Sequence, residues 1–404
     1  VFQGQTPLTL QVDSTIEHTV VVGKQGFENF QEKISLKPDE TKQLSLKLQP
    51  EYGIVFLTTE PPDAELYLDG KHQDTNTGRM KLEVREHTFE IRAEGYITAV
   101  RTITPNKELS RQVDIRLKPV PLKDTPDNTS IEKTAKSGLD MILLQSALFE
   151  MGASRREPGR RANERLRSVR ITRPYYLGVR EVTNGEFRRF KPGHSSGVIA
   201  GYSLDDDTQP VVNVSRDDVA RYLNWLSEQD GFKPFYREEN GKMVPIKPFT
   251  TGYRLPFEAE WAYAARLAGR QEMARYGWQG TFPPLSKSGN YADESASAIL
   301  PVVLKGYNDT FAVSASVGSF AKNPGGFFDL DGNVSEWCHD YYTPYPPLAG
   351  GVKADPPGPE SGTHHVVRGA SWRDGSITEV RLSYRGYSRE KRDDIGFRIT
   401  RYAR

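Results

Sequence analysis

Short segments in which polar and apolar residues alternate run through the first 120 residues. In AELYLDG (64–70), Leu66 and Leu68 fall on one face and an Asp-Gly turn follows. The segments KLEV, HTFEIRA and RQVDIRL alternate in the same way. Alternation with a period of two predicts β-strands with one buried face. This part of the chain is therefore predicted to be all β.

The same part of the chain contains an internal repeat. HTVVVGKQGF (18–27) corresponds to HTFEIRAEGY (87–96) at an offset of 69 residues, and PLTLQV corresponds to RMKLEV. Self-similarity at a fixed spacing indicates a repeated structural unit. The first copy lacks a counterpart of VFLTTEPPDAELYLDG (55–70). The sequence therefore begins inside a repeat, and we expect a targeting or anchoring segment upstream of Val1.

The second copy, with PPDA followed by YLDG, resembles the PEGA family of small β-domains common in bacterial envelope proteins. The family's own motif is degenerate here, at residues 62–64. Residues 1–50 and 51–119 are predicted to be two PEGA-like repeats, the first truncated at its start. We expect the repeats to serve as a spacer or wall-proximal adaptor. The alternative is an unspecialised β-module. Residues 120–137 are rich in Pro, Ser, Thr and charge and are predicted to be a linker.

Helical patterns appear only after the linker. SRDDVARYLNWLSEQ (215–229) has Ser215 as a cap, acidic residues in its first turn and an apolar stripe, which predicts an amphipathic helix. A second helix is predicted to start at Pro256, and Thr183 or Asn184 is predicted to cap a short third one. MILLQSALFEMG predicts a pair of strands. Residues 138–404 are therefore predicted to be an α+β domain.

Composition restricts the function classes. The chain has 404 residues, a formal net charge of +1 and no run of 18 apolar residues, so composition predicts neither a nucleic-acid partner nor a membrane span. Eight arginines between Arg155 and Arg173 predict either a solvated loop or a patch for phosphate or an acidic partner. Because no aromatic residues interleave them, nucleic acid is disfavoured.

The chain is organised around GFFDLDGNVSEW (326–337), which combines a tight turn with two acidic residues and a tryptophan. The turn is Asp331-Gly332-Asn333, and Glu336 and Trp337 follow it. Carbonyl oxygens freed by a turn, flanked by carboxylates, suit a calcium ion. The alternative is a plain connection from the turn into the core.

Six ordered blocks resemble the formylglycine-generating enzymes, the sulfatase-modifying factors. They are YYLGVREVTNGEFRRF, PVVNVSRDDVARYLNWL, RLPFEAEWAYAAR, the central turn, VVRGASW and IGFRIT. The resemblance covers residues 138–404. It implies the α+β fold of that family, which is related to C-type lectins, after the two all-β repeats.

The resemblance also implies structural calcium. A first site would use Asn290, Tyr291, Asp309 and Phe311, and a second would use Asp331, Gly332, Val334 and Glu336. The alternative is that hydrogen bonds alone hold these turns. Calcium is the only cofactor that we expect.

Catalysis is where the sequence departs from the family. Family oxidases bind copper through two cysteines between the RGGS-like and GFR blocks, but the interval Ala370–Ile395 contains none. Copper(I) needs soft thiolates, so no copper is expected. Cys338 is the single cysteine, which rules out a disulfide within the chain and a multi-cysteine zinc site. It lies next to His339, but an unpaired cysteine there is more typical of a buried side chain.

Other catalytic arrangements find little support. The seven histidines form no helical cluster of the kind that binds iron in relatives that form sulfur–carbon bonds. A triad of Ser371, His364 and Asp374 can be drawn, but nothing in the spacing supports it.

The sequence therefore predicts a non-catalytic recognition or regulatory module, periplasmic or at the cell surface. A calcium-braced domain would bind a protein or glycan of the envelope, and a membrane would be reached only through a segment upstream of Val1. The alternatives are an enzyme of altered chemistry on the same fold and a structural spacer. The predicted partner-binding residues are Trp372, Arg373, Tyr384, Arg385 and Tyr387, centred on Arg373, Tyr384 and Arg385. Alternatively, Trp372 and Tyr384 are core residues and the arginines pair with Asp393 and Asp394.

Overall fold

The chain forms two compact units, Val1–Val120 and Pro121–Arg404. The computed structural model describes residues 4–60, 64–75, 77–93, 96–119, 131–133, 137–284, 287–344 and 352–403. Within these ranges most regular structure is β-strand, with three α-helices and one turn of 3₁₀-helix. No described helix is both long enough and apolar enough to cross a bilayer.

The first unit consists of strands. They are β1 His18–Val22, β2 Phe30–Ile34, β3 Tyr52–Glu60, β4 Glu65–Leu68, β5 Lys71–Gln73, β6 Gly78–Glu83, β7 His87–Arg92, β8 Tyr96–Ile97, β9 Ala99–Ile103, β10 Arg111–Arg116 and β11 Lys118–Pro119. In the second repeat, two sheets have the orders β10-β3-β6 and β5-β4-β7-β9. The alternating residues Val55, Leu57, Leu66, Phe89 and Ile91 are buried between them. The all-β prediction agrees with this arrangement.

The first repeat is reduced to the hairpin β1–β2 among its described residues. PLTLQV (7–12) is exposed and forms no strand, so its predicted correspondence to a strand is wrong. In the second repeat the corresponding segment is β6, which pairs along its whole length with β3. The first repeat has no counterpart of β3, so the segment has no partner strand.

The second unit contains the remaining strands and the helices. They are β12 Ile131–Lys133, β13 Asp140–Leu144, β14 Ala147–Met151, β15 Arg167–Ile171, β16 Tyr175–Gly178, α1 Asn184–Arg188, β17 Val198–Ile199, β18 Tyr202–Ser203, α2 Arg216–Gln229, β19 Tyr236–Glu239, β20 Lys242–Pro245, α3 Glu258–Arg266, the 3₁₀ turn Glu294–Ala296, β21 Ser335–Tyr341, β22 Lys353–Ala354, β23 His365–Arg368, β24 Gly386–Ser388, β25 Ile395–Gly396 and β26 Thr400–Tyr402.

Three sheets frame this unit, with the orders β12-β13-β16-β26, β14-β15-β22 and β24-β23-β21-β25. The two strands predicted from MILLQSALFEMG exist, but β13 pairs with β16 and β14 pairs with β15, so they belong to different sheets. Part of the predicted linker 120–137 lies outside the described residues. For Ile131–Lys133 the linker prediction is wrong, because these residues form an edge strand that pairs with β13.

The helices begin where their caps predict. Ser215 caps α2 by accepting from the backbone N–H of Asp218, whose carboxylate bonds back to the cap. Thr183 caps α1 in the same way. Helix α3 starts two residues later than predicted, because the Glu260 carboxylate accepts from the N–H of Phe257 and fixes that residue as the cap. Trp337 of β21 is fully buried.

Candidate functional site

Asn333 holds the central turn against a neighbouring loop. Its φ of 72° lies in the left-handed region that asparagine tolerates. Its N–H donates to the carbonyl of Asn290 at 2.9 Å, and its side chain bonds Ala315 N at 2.8 Å and Glu181 at 3.2 Å. A Cβ on Gly332 would lie 2.9 Å from the backbone of Asn290, so only glycine fits there.

The carboxylate of Glu336 is occupied by Arg398. The Arg398 Nε and Nη2 donate to its two oxygens at 2.7 and 2.6 Å, and Trp261 Nε1 donates at 2.9 Å. Arg398 also donates to the carbonyls of Gly178 and Phe328. Both members of the ion pair are buried. This pair therefore links β21 to the segment that precedes β26.

The second predicted calcium set is Asp331, Gly332, Val334 and Glu336. Asp331 accepts from the hydroxyl of Tyr291 at 3.0 Å and packs so closely on Gly277 that a side chain there would overlap it. Both oxygens of Glu336 already accept from Arg398. Glu336 is therefore not free to bind calcium, because a guanidinium already supplies its positive charge, and Asp331 is the one carboxylate left to this set.

A buried carboxyl pair, Glu181 and Asp329, lies beside Asn333. Glu181 accepts from the Asn333 amide, and Asp329 accepts from the N–H of Gly318 at 2.6 Å. Burial raises the pKa of Glu181 well above its usual value and that of Asp329 to about 6. The charge of Asp329 adds to the upward shift of the Glu181 pKa. Sequence reasoning missed this pair, since the two residues lie in distant segments.

The first predicted calcium set does come together. Asp309 accepts from the N–H groups of Tyr291 at 3.0 Å and Phe311 at 2.8 Å. The side-chain oxygen of Asn290 is buried and has no donor among the described residues. Burial, and to a lesser degree the charge of Asp293, raise the pKa of Asp309 to about 7. A divalent cation would satisfy the Asn290 oxygen and favour the charged carboxylate, so these residues fit calcium.

Two residues beside this set were missed by the sequence reasoning. The Ser295 hydroxyl donates to the Phe311 carbonyl at 2.7 Å and also bonds Asp293. Among the described residues, no three His, Cys, Asp or Glu side chains are grouped closely enough to hold a metal ion. A calcium ion here would therefore depend on amide and carbonyl oxygens as well as on Asp309.

The interval Ala370–Ile395 is built from ion pairs. Arg373 pairs with Asp393, Arg381 with Glu164, Arg385 with Glu258, and Arg392 with Asp394. Arg381 and Glu164 are both fully buried. These contacts fix the interval on the rest of the domain.

The predicted partner-binding residues separate into two groups. Trp372 is completely buried, and Arg385 is held by Glu258 at 2.5 and 2.9 Å and is nearly inaccessible. Neither can contact a partner, which corrects their assignment. Arg373 is partly exposed but is engaged by Asp393.

The two tyrosines keep accessible surface. Tyr384 is partly exposed, whereas Tyr387 is 51% exposed and stacks on Tyr342 with ring centroids 4.3 Å apart. The interpretation of Tyr384 as a core residue is therefore wrong. Tyr387 presents the most open aromatic face of the predicted set.

Cys338 is a free cysteine and is buried. Burial raises the pKa of its thiol well above the usual value, so it stays protonated. Burial lowers the pKa of His339 well below its usual value, and its ring bonds the hydroxyl of Tyr236 at 3.1 Å.

The Ser371 hydroxyl is directed at carboxylates rather than at a histidine. It donates to Asp374 at 2.9 Å and to Asp394 at 3.0 Å, while the His364 ring bonds Thr363. The triad drawn from the sequence is therefore not assembled. Burial raises the pKa of Asp374 to about 6, with the charge of Asp394 adding to the shift.

The fold and site define a mostly β domain, closed by buried arginine–carboxylate pairs around an oxygen-rich turn and preceded by small β-repeats. Residues 127–403 match the sulfatase-modifying factor enzyme 1-like domain, and the chain belongs to that family. Residues 1–52 and 52–121 match the PEGA domain.

Several known proteins are similar to the chain. The formylglycine-generating enzyme of Thermomonospora curvata is 32% identical over 175 residues, which cover 43% of this chain and 48% of that enzyme. The Streptomyces coelicolor enzyme is 33% identical over 165 residues, which cover 40% of this chain and 42% of that enzyme. The chaperone protein LppX of Paenibacillus barcinonensis is 26% identical over 231 residues, which cover 52% of this chain and 74% of that protein. The chain thus spans about half the length of the first enzyme.

Solved structures share the fold. PvdO from Pseudomonas aeruginosa aligns with a TM-score of 0.51 at 23% identity, covering 69% of this chain and 100% of that one. Treponema denticola variable protein 1 aligns with a TM-score of 0.53 at 23% identity, covering 69% and 99%.

Proposed function

We propose that the chain is a non-catalytic recognition module that binds a partner protein or glycan of the cell envelope. The observation that carries this proposal is the interval Ala370–Ile395, which contains no cysteine. Soft thiolates such as the cysteine pair of the family's oxidases select copper(I). Cys338 cannot substitute, because it is single, buried and protonated.

The contacts of the interval support a scaffold role. Arg381 and Arg385 each form a bidentate pair with a buried glutamate, and Arg368 donates to the carbonyls of Leu382 and Ser383. Side chains committed to such pairs are not free to act on a substrate. They hold the exposed face around Tyr387 in one arrangement.

Calcium at Asn290, Tyr291, Asp309 and Phe311 belongs to this proposal as a structural brace. Asp309 would supply the charged oxygen, and Asn290 and the Tyr291 and Phe311 carbonyls would complete the hard-oxygen set. When bound, the ion would join the loop before the 3₁₀ turn to the loop that carries Asp309. The second set is left out because Arg398 neutralises Glu336.

An extracytoplasmic location is part of the same proposal. PEGA-like repeats are common in bacterial envelope proteins, and the match covers both repeats.

An enzyme of altered chemistry is the second candidate, and one observation favours it. Asp374 has a pKa near 6 and lies beside the Ser371 hydroxyl, and a carboxyl group in that range can exchange protons near neutral pH. The third candidate is a spacer without a ligand.

The proposal is tested by two assays on the whole chain. The copper-supplemented protein is incubated with a cysteine peptide of the sulfatase type and followed by mass spectrometry, with the Thermomonospora curvata enzyme as positive control. We expect the thiol to persist, and conversion to an aldehyde would overturn the proposal. The protein is also screened against immobilised envelope glycans and envelope proteins. Binding to none of them would favour the spacer.

A further inference from the structure

The loop that joins β14 to β15, residues 152–166, is closed on itself; we call it the basic loop. The Ala153 N–H donates to the Glu164 carbonyl at 3.0 Å, and Arg160 Nε donates to the Ala153 carbonyl at 3.0 Å. Glu157 N–H donates to the Ser154 carbonyl at 2.9 Å. Hydrogen bonds within the basic loop therefore hold it in a defined conformation.

The acidic side chains of the basic loop are used internally. Glu164 is fully buried and accepts two hydrogen bonds of 2.6 Å from Arg381. Glu157 accepts from Arg381 at 2.9 Å and from Ser383 at 3.1 Å. Both carboxylates of the loop are thus paired with arginines from other segments, since Arg275 lies 3.9 Å from Glu157 in addition to the contacts of Arg381.

This leaves the outer arginines without carboxylates. Arg155, Arg156 and Arg161 are exposed, and none of them forms an ion pair with a described residue. The whole chain carries a formal charge of only +1, so this concentration does not follow from a basic composition. Unpaired guanidinium groups on a fixed loop suit anions, which they bind through paired N–H donors.

The basic loop also reaches an aromatic face. The Arg161 guanidinium lies 5.4 Å from the centroid of the Tyr384 ring. Asn163 donates to the Tyr342 hydroxyl at 2.9 Å, and the Tyr342 ring stacks on the exposed ring of Tyr387. Arg161, together with Asn163, therefore connects the basic loop with its exposed arginines to an open tyrosine face.

We propose that this surface binds an anionic polysaccharide, with Arg155, Arg156 and Arg161 on its carboxylate or sulfate groups and Tyr387 against a sugar ring. A flat tyrosine face covers the C–H side of a sugar, and its hydroxyl stays available for hydrogen bonds. An acidic peptide would gain affinity from apolar anchors in pockets. Here the apolar residues Val366 and Val367 of β23, next to Tyr387, are buried. The inference rests on the recognition function proposed above and specifies its ligand class.

The experiment measures binding of the whole chain to alginate, a polyuronate, by biolayer interferometry. The test variant is R155Q/R156Q/R161Q, and the control is K233Q/K305Q/K322Q, which removes three exposed charges elsewhere in the domain. We expect the test variant to weaken alginate binding by at least about tenfold, and the control by less than about twofold. Y387A is expected to weaken binding as well. Melting temperatures report that all variants stay folded.

Further probes separate the possible outcomes. Neutral dextran is expected not to bind, and salt at about 1 M, where screening acts within about 3 Å, is expected to abolish alginate binding. Equal affinity of the wild type and R155Q/R156Q/R161Q for alginate would overturn the inference. The inference would also be overturned if polyglutamate or a single-stranded oligonucleotide bound with the same affinity as alginate and Y387A did not weaken alginate binding. If an envelope protein or neutral glycan binds and alginate does not, the inference fails while the recognition function stands.

Discussion

Arg398 and Glu336 form an ion pair in which neither side chain reaches solvent. The shortest contact is 2.6 Å, and the remaining donors of Arg398 are taken by two backbone carbonyls. The guanidinium of Arg398 therefore serves as the counter-ion of Glu336 at the oxygen-rich turn. This relationship explains why the turn can bury Glu336 without a metal ion.

Glu336→Gln should destabilise the second unit strongly. The substitution leaves a buried guanidinium without its counter-charge, which typically costs about 3–5 kcal/mol. Chemical denaturation followed by tryptophan fluorescence measures the change. The control is Glu390→Gln, because Glu390 forms an exposed pair with Arg389, and its loss should leave the midpoint unchanged. A Glu336→Gln midpoint equal to that of the wild type would contradict the structural role of this pair.

Calcium should stabilise the second unit and leave the repeats unaffected. A site that binds only the folded state adds about 2.7 kcal/mol when free calcium is about 100 times Kd. Calorimetry with calcium and then with a chelator should shift one transition and leave the other in place. Asp309→Ala should abolish the shift, whereas Asp331→Asn should retain it, because Glu336 of the second set is already paired with Arg398. Identical thermograms with and without calcium would mean that hydrogen bonds alone hold the Asp309 loop.

Asp340 should make the unfolding free energy depend on pH. Burial, and then the charge of Glu258, raise its pKa to about 7, while its carboxylate accepts from the N–H of Glu258 at 2.7 Å. A carboxyl with a raised folded pKa contributes stability that is fully present below about pH 4 and is lost as pH rises through about 7. Asp340→Asn keeps an acceptor oxygen but cannot ionise.

The variant should therefore remove part of the decline in unfolding free energy between about pH 4 and 8. The difference between variant and wild type should be about 1–4 kcal/mol larger at pH 8 than at pH 4. Denaturant titrations at several pH values measure it. The neighbouring Glu258 acts in the opposite sense, since its pKa is lowered to about 2. Parallel pH profiles for the two proteins would show that Asp340 does not titrate in this range.

Local features of the fold were predictable from the sequence because their signals are local. Ser215 and Asp218 are three residues apart, and this spacing is sufficient to place the start of α2. The strands of the second repeat were likewise predictable from the alternation of polar and apolar residues. Which strands pair did not follow, because pairing of β13 with β16 is set by tertiary packing and not by either segment alone.

The candidate site was predictable only in part. Asn290 and Asp309 were found through resemblance and do come together. Trp372 and Arg385 were misplaced because tryptophan and arginine are typical both of binding surfaces and of buried pairs. What distinguishes the two cases is the presence of Glu258 opposite Arg385, and that carboxylate lies in a distant helix.

The position of β26 in its sheet has a consequence for biosynthesis. Thr400–Tyr402 pairs with Tyr175–Leu177, and Arg398 just before it completes the buried pair with Glu336. Nascent chains emerge from the ribosome at about 5–20 residues per second, so the early strand waits many seconds for its partner. The domain cannot close its core until these residues have left the ribosome.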